Sequence, residues 1–358
     1  MTTRPLTKKT IPAYLSGRKT RIVCLLGLVV VLLFVIAIAT IFGSVDVPLG
    51  TISRIIVNAL PFVHLDQTWT DGLATIVLDI RLPRIIMAGL VGAALATAGA
   101  TYQGLFRNPL ADPYLIGVAQ GASLGAVIGF LLPFSLSFGG FGAIPFFAFI
   151  GALLATVTVY LLARIGKTMP VSTLILAGVA LSALLSSIVS YLIISSDERL
   201  HSIVFWLMGS FNGTKWDEVL VVFLYILVGT AVILLFSRVL NVMQLDEEQA
   251  QQLGVNVEQM KIILLAAATL ITAAGVAFVG TIGFVGIIVP HAVRLIWGAD
   301  HRFLLPFSVL SGAIFMVLTD LVARTIMAPA EIPIGVITAI CGAPFFLYLL
   351  RRRKKAIF

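Results

Sequence analysis

The sequence predicts an all-α integral membrane protein, and three observations predict it. Of its 358 residues, 59% are hydrophobic and 11% charged, with a mean hydropathy of +1.09. Apolar runs close to the ~20 residues that cross a bilayer recur along the whole chain. Basic residues are dense in alternate segments between these runs and sparse in the others. A backbone in lipid must satisfy its own hydrogen bonds, so runs of this length read as helices. Ten lie near 22–42, 84–106, 115–132, 144–163, 173–194, 218–237, 262–280, 283–297, 304–322 and 334–350. Gly280-Thr-Ile-Gly283 is all that separates the seventh from the eighth.

The net charge of +8 orients the helices and does not mark nucleic-acid binding. With the N-terminus inside, 18 of the 24 Lys and Arg residues fall on the cytoplasmic side. The six outside are Arg54, Arg81, Arg84, Arg199, Lys215 and Arg324. That asymmetry places both termini in the cytosol. Cys24 and Cys341 each sit alone in an apolar run, which suggests neither a disulfide nor a metal site. The first run is too long for a signal peptide and is read as a retained span.

Taken in order, residues 1–21 form a basic cytoplasmic tail, 22–350 a single ten-helix domain, and 351–358 a second basic tail. The segment 43–83 is external. Within it 52–60 suits a surface-lying helix, and Pro83 marks the start of the second span. That span carries small residues at Ala88, Gly92, Ala96 and Ala100, a spacing that lets helix backbones approach closely. Gly121–Gly125 and Ala266–Gly275 repeat the pattern. Residues 107–113 and 166–173 are cytoplasmic turns. His201–Ser210 is too short to span and reads as a re-entrant or interfacial piece, with Trp206 and Trp216 as anchors.

Asn241–Lys261 is a strongly polar island between two apolar runs. Asp246 and Gln249 have capping-box spacing, which predicts a helix of about eight residues. Gly254 supplies a left-handed stop, and Asn256 opens the next helix. A capped helix of ~12 Å is more than a connector needs, so a docking helix competes with an ordered loop. In the last third, Asp320 and Arg324 are four apart on one face. A carboxylate at mid-span costs about 2.5–3.5 kcal/mol, so pairing is expected.

Other motifs carry no chemistry. Gly166-Lys-Thr168 lacks the upstream glycine and the strand of a phosphate-binding loop, so the chain has no nucleotide motor. Gly121-Ala-Ser-Leu-Gly125 matches a nucleophile elbow but lies in an apolar helix, where packing accounts for it. His64, His201, His291 and His301 are scattered near span ends and suggest no metal.

Arg81-Leu-Pro-Arg84, Arg107-Asn-Pro-Leu-Ala-Asp-Pro113, Phe205-Trp-Leu-Met-Gly-Ser210, Leu253-Gly-Val255, Gly283-Phe-Val-Gly-Ile-Ile-Val-Pro-His291 and Glu331-Ile-Pro-Ile-Gly-Val336 resemble the FecCD/BtuC family. These are membrane permeases of ABC importers for iron–siderophores, haem and vitamin B12. The resemblance runs from about 45 to 350. It implies a type II ABC importer permease fold in the cell inner (cytoplasmic) membrane, paired with a second copy or close paralogue. Two separate ABC ATPase subunits would bind below, and an extracytoplasmic substrate-binding protein above. ATP and Mg would sit on the ATPase, with no cofactor on this chain and no catalysis by it.

The same resemblance assigns residues. Asp246, Glu247, Glu248, Gln249, Gln252, Leu253 and Gly254 would form the coupling element inserted into the ATPase. Arg81, Arg84 and Arg324 would receive carboxylates of the binding protein. Asn108, Leu110, Ser172 and Thr173 would close a cytoplasmic gate. The pathway would run between two subunits, along 173–194 and 200–210, with Ser182, Ser186 and Ser190 as a weakly binding wall. An ion-coupled secondary transporter is the alternative, and it would need intramembrane ionisable residues such as Asp320. A hydrolase built on Ser123 is a third reading. The shared motifs do not choose the cargo.

Overall fold

The computed structural model describes residues 17–43, 47–59, 66–132, 137–138, 141–196 and 199–354. Residues 1–16 of the basic tail, Leu60, His64 and residues 355–358 lie outside the described residues.

Each of the ten apolar runs coincides with a helix. These are α1 (Arg18–Ile41), α3 (Asp71–Leu105), α4 (Val118–Leu131), α5 (Ala143–Ala163), α6 (Val171–Ile194), α8 (Trp216–Leu235), α11 (Val257–Val279), α12 (Val285–Trp297), α13 (His301–Thr325) and α14 (Ile334–Lys354). Four shorter helices sit between them: α2 (Leu49–Asn58), α7 (Leu200–Leu207), α9 (Ser237–Val242) and α10 (Glu247–Gln252). A two-residue hairpin pairs Ser137–Phe138 with Phe141–Gly142 ahead of α5. Among the described residues, seven helices are long and apolar enough to cross a membrane. The 13 residues of α12 reach only about 20 Å, short of a ~30 Å hydrocarbon core.

Burial ranks the helices. The apolar windows of α3 and α11 are 78% and 72% buried, whereas those of α1 and α6 are each 11% buried. The bundle is therefore built around α3 and α11, with α1 and α6 at its edge. Glycines set the central contacts. A methyl group on Gly92 of α3 would overlap the Gly312 carbonyl of α13, and one on Gly312 would overlap Gly92 in return. Gly121 of α4 and Gly151 of α5 meet in the same reciprocal way. In lipid, where association depends on close packing, this contact replaces the hydrophobic drive. Gly92→Val is expected to force α3 and α13 apart at a cost of about 1–3 kcal/mol or more. A lowered unfolding midpoint of the purified protein checks it, and an unchanged midpoint would show the contact is slack.

The second span does not begin at Pro83. Its helix starts at Asp71 and runs unbroken to Leu105, through a π-helical segment at Ile76–Arg81. The wider π turn accommodates a proline that would clash with an α-helical carbonyl. In that register the missing Pro83 N–H leaves the Leu78 carbonyl without its helical donor. The Trp216 indole N–H fills the vacancy at 2.9 Å. Trp216 therefore ties α8 to α3. The segment read as 52–60 does carry a helix, α2, set at Leu49–Asn58, which buries Ile52 and Ile55 against Val47, Trp69 and Val77.

The Gly280–Gly283 break is a true interruption, with Gly280 at φ +78°. There the end of α7, the end of α11 and the start of α14 meet. Ser210 N–H donates to the Val279 carbonyl at 2.8 Å, and Ile334 N–H to the Gly209 carbonyl at 2.9 Å. Gly335 N–H donates to the Met208 carbonyl at 2.9 Å, and the Thr281 hydroxyl to the Leu207 carbonyl at 2.6 Å. Non-helical backbone is thus paired with protein, the condition under which it survives in a bundle.

Candidate functional site: a clamped surface helix at the basic end

The polar island folds as α9, α10 and the first turn of α11. α10 is shorter than expected, six residues from Glu247 to Gln252. Asp246 takes the N-cap position, but its carboxylate caps no N–H and instead meets Arg107 at 3.3 Å. The nearby guanidinium competes successfully with the helix end for this carboxylate. Gly254 adopts the predicted left-handed conformation, φ +84°. The Asn256 side chain caps α11 by accepting from Gln259 N–H at 3.1 Å.

Ala250 is buried, anchoring α10. Glu248, Gln249, Gln252, Leu253 and Gly254 are exposed, and Leu253 is 64% exposed although apolar. The helix therefore presents a mixed polar and apolar outer face.

Its inner side is held by charge. Lys261, buried at 3% exposure, places Nζ 2.9 Å from Glu247 and 2.9 Å from Glu258. It also donates to the Met169 carbonyl at 3.1 Å, while Glu258 accepts from Met169 N–H at 2.9 Å. Both backbone groups of Met169 are thus gripped immediately before Pro170 and α6. Arg107 reaches Asp246 and, at 3.8 Å, Glu247. Arg107 itself holds left-handed backbone, φ 49°, a strained state for a side-chain-bearing residue. One short helix is therefore bonded to the 107–112 turn through Arg107 and to the 164–170 turn through Lys261 and Glu258.

The first of these turns carries Asn108 and Leu110, and the second leads directly into the first turn of α6, which carries Ser172 and Thr173. The Asn108 side chain accepts from Leu110 N–H at 3.0 Å, stabilising its own turn. Thr173 donates to the carbonyls of Ala163 and Pro170, and Ser172 is exposed. Sequence reasoning missed Lys261 and Arg107. A signal existed, because a lysine at the mouth of an apolar run, three residues after Glu258, must be paired to be buried. Gly166-Lys-Thr168 is a tight turn closed by an Ile165–Thr168 bridge, and Ser123 only donates to the Ala119 carbonyl of its own helix.

At the opposite end the three arginines are not the exposed forks that docking anticipates. Arg81, Arg84 and Arg324 are 4%, 7% and 4% exposed. Arg81 donates to the Thr40 and Ile41 carbonyls at 2.8 and 3.0 Å, and Arg324 donates to that of Ala39, so both cap the C-terminus of α1. Arg84 meets Asp320 at 2.9 Å and Glu331 at 2.7 Å. Arg324 lies 3.4 Å from Asp320, the expected pair one turn apart. Burial follows because these charges join α1, α3, α13 and the 331 loop, a juxtaposition that local spacing does not reveal.

Along α6, Ser182 is half-buried near Gly117, whereas Ser186 and Ser190 are exposed. Leu176, Tyr191 and Ile194 are at least 70% exposed on the same helix. Within the described residues this wall is uncovered.

The described residues thus form a multi-pass helical bundle carrying a short helix anchored by charge on its surface. The chain belongs to the FecCD transport family, which it matches over residues 22–352. It is 49% identical over 279 residues to the cobalamin import system permease protein BtuC of Halobacterium salinarum, covering 78% of this chain and 74% of that protein. It is 41% identical over 341 residues to the hemin transport system permease protein HmuU of Yersinia pestis, covering 92% and 96%. A solved structure described as a metal-chelate type ABC transporter, in an inward-facing conformation, superposes with a TM-score of 0.77 at 36% identity, covering 92% of this chain and 99% of that one. The chain is accordingly a permease subunit of the ABC importer class and not an enzyme.

Proposed function

We propose that this chain forms half of the translocation unit of an ATP-driven importer for an iron chelate or cobalamin. It pairs with a second copy across the uncovered face of α6, and the pathway runs along Ser182, Ser186 and Ser190. It lies in the cytoplasmic membrane with both termini in the cytosol, as the charge asymmetry favours. ATP and Mg are held by a separate ATPase that receives Asp246–Gly254.

The observation that carries this reading is the clamped helix α10, whose outer face is open and whose inner side is bonded to both gate turns. Nucleotide-driven movement of the ATPase would pull on α10 and reset Asn108, Leu110, Ser172 and Thr173. A binding protein docks at the other end, its carboxylates exchanging with Asp320 and Glu331 for Arg84 and Arg324, while Arg81 holds the end of α1. Arginine forks favour such exchange between carboxylates.

The test is reconstitution in vesicles with the partner ATPase and binding protein. Uptake of cobalamin, haem or an iron–siderophore should require ATP hydrolysis. Uptake that persists with a hydrolysis-dead ATPase, driven by a proton or sodium gradient, would overturn the reading.

A further inference from the structure

A second site lies at the basic end, away from α10. Arg18 and Arg21 from α1, Arg238 from α9 and Arg302 from α13 line one cavity of about 520 Å³, together with Ile22 and Phe303. Arg18 and Arg21 are neighbours one turn apart on α1, but Arg238 and Arg302 are far from them in the chain, so the fold brings the three helices' guanidinium groups together. We infer that this groove binds the phosphate headgroup of an anionic phospholipid.

The charges divide clearly. Arg302 forks its neighbour Asp300, with its closest contact at 2.7 Å, and Asp300 also accepts from the Asn241 amide at 2.7 Å. The Arg302 hydrogen bonds hold the Asp300 carboxyl down at about 2, despite partial burial, so this pair stays ionised and internally compensated. Among the described residues, no carboxylate forms an ion pair with Arg18 or Arg238. The Arg21 guanidinium lies 4.5 Å from the centre of the Phe303 ring, which fixes its plane beside the groove. The groove therefore offers positive charge in an arranged form, suited to phosphate oxygens.

The source of the phosphate follows from the walls. Ile22 and Phe303 make one side apolar. Beyond Ile22, α1 exposes Val23, Leu26, Val30 and Leu33, each more than 60% exposed, along the same peripheral helix. A free phosphate has no use for that surface, whereas acyl chains do. The groove sits at the end that the charge asymmetry assigns to the cytoplasmic leaflet, where anionic lipids attract basic clusters. The basic N-terminal tail, with Arg4, Lys8 and Lys9, carries the wrong charge to fill it.

The experiment measures lipid binding to the purified full chain, by native mass spectrometry and by titration with phosphatidylglycerol or phosphatidylcholine in mixed micelles. Two double variants are compared. Arg18→Gln with Arg238→Gln removes two exposed groove charges, and Arg164→Gln with Lys167→Gln removes two exposed charges from another turn at the same end. Each groove arginine is expected to contribute about fivefold, so the first variant should weaken phosphatidylglycerol about 25-fold. The second should change it less than about twofold, and phosphatidylcholine should not distinguish the proteins. Equal weakening in both variants would overturn the site in favour of a diffuse basic surface. Displacement of bound lipid by millimolar inorganic phosphate would overturn the lipid assignment. Neither result depends on transport, so failure here is separable from failure of the importer reading.

Discussion

Asp320→Ala is expected to destabilise the bundle by about 3–5 kcal/mol, the usual cost of breaking a buried ion pair by removing one partner. Asp320 is fully buried and is the shared carboxylate of Arg84 and Arg324. Its loss leaves Arg84 with Glu331 and leaves Arg324, among the described residues, with no carboxylate partner, held by the Ala39 carbonyl. The unfolding midpoint of the purified protein should fall sharply, and α1 should become more susceptible to protease because its C-terminal cap loosens. The exposed Asp79→Ala serves as the comparison, with a change within about 0.5 kcal/mol. A midpoint for Asp320→Ala indistinguishable from that of Asp79→Ala would remove the structural role. The milder Asp320→Asn also separates two mechanisms. An ion-coupled transporter would lose gradient-driven uptake with it, whereas a permease driven by a partner ATPase should keep ATP-driven uptake in whatever fraction folds.

Lys261→Met should reduce coupled uptake by about 5–150-fold, the range of a 1–3 kcal/mol coupling free energy. Methionine keeps the buried stem but removes the charge that joins Glu247, Glu258 and the Met169 carbonyl. The Arg107 contacts to Asp246 and Glu247 remain, so α10 should stay folded and still bind the ATPase. ATP hydrolysis should therefore continue within about twofold while uptake falls. Lys261→Arg retains the charge in a different geometry and should recover part of the uptake. Parallel loss of hydrolysis and uptake would mean that Lys261 merely holds the fold. Full uptake by Lys261→Met would show that α10 does not act through the 164–170 turn.

Much of the architecture was legible because a bilayer leaves few options. Runs of apolar residues became helices at the expected places, and Gly254 and Asn256 terminated and capped as their chemistry requires. Boundaries failed where an uncommon backbone solved a local problem. Pro83 looked like a helix start, yet a π turn and a distant tryptophan carried the helix through it. Asp246 looked like a cap, yet Arg107, 139 residues away, took its carboxylate.

By itself, the sequence determined the class: a helical, multi-pass membrane protein with a polar surface helix, since hydropathy and local capping are short-range properties. The tertiary structure alone decided which charges are buried and with whom. Arg81, Arg84 and Arg324 became internal ties, Lys261 joined α10 to the 164–170 turn, and Arg18 and Arg238 came to line one groove. Each of those outcomes depends on how helices far apart in the chain pack together; spacing along a single helix foretold the Asp320–Arg324 pair but none of its partners on other elements.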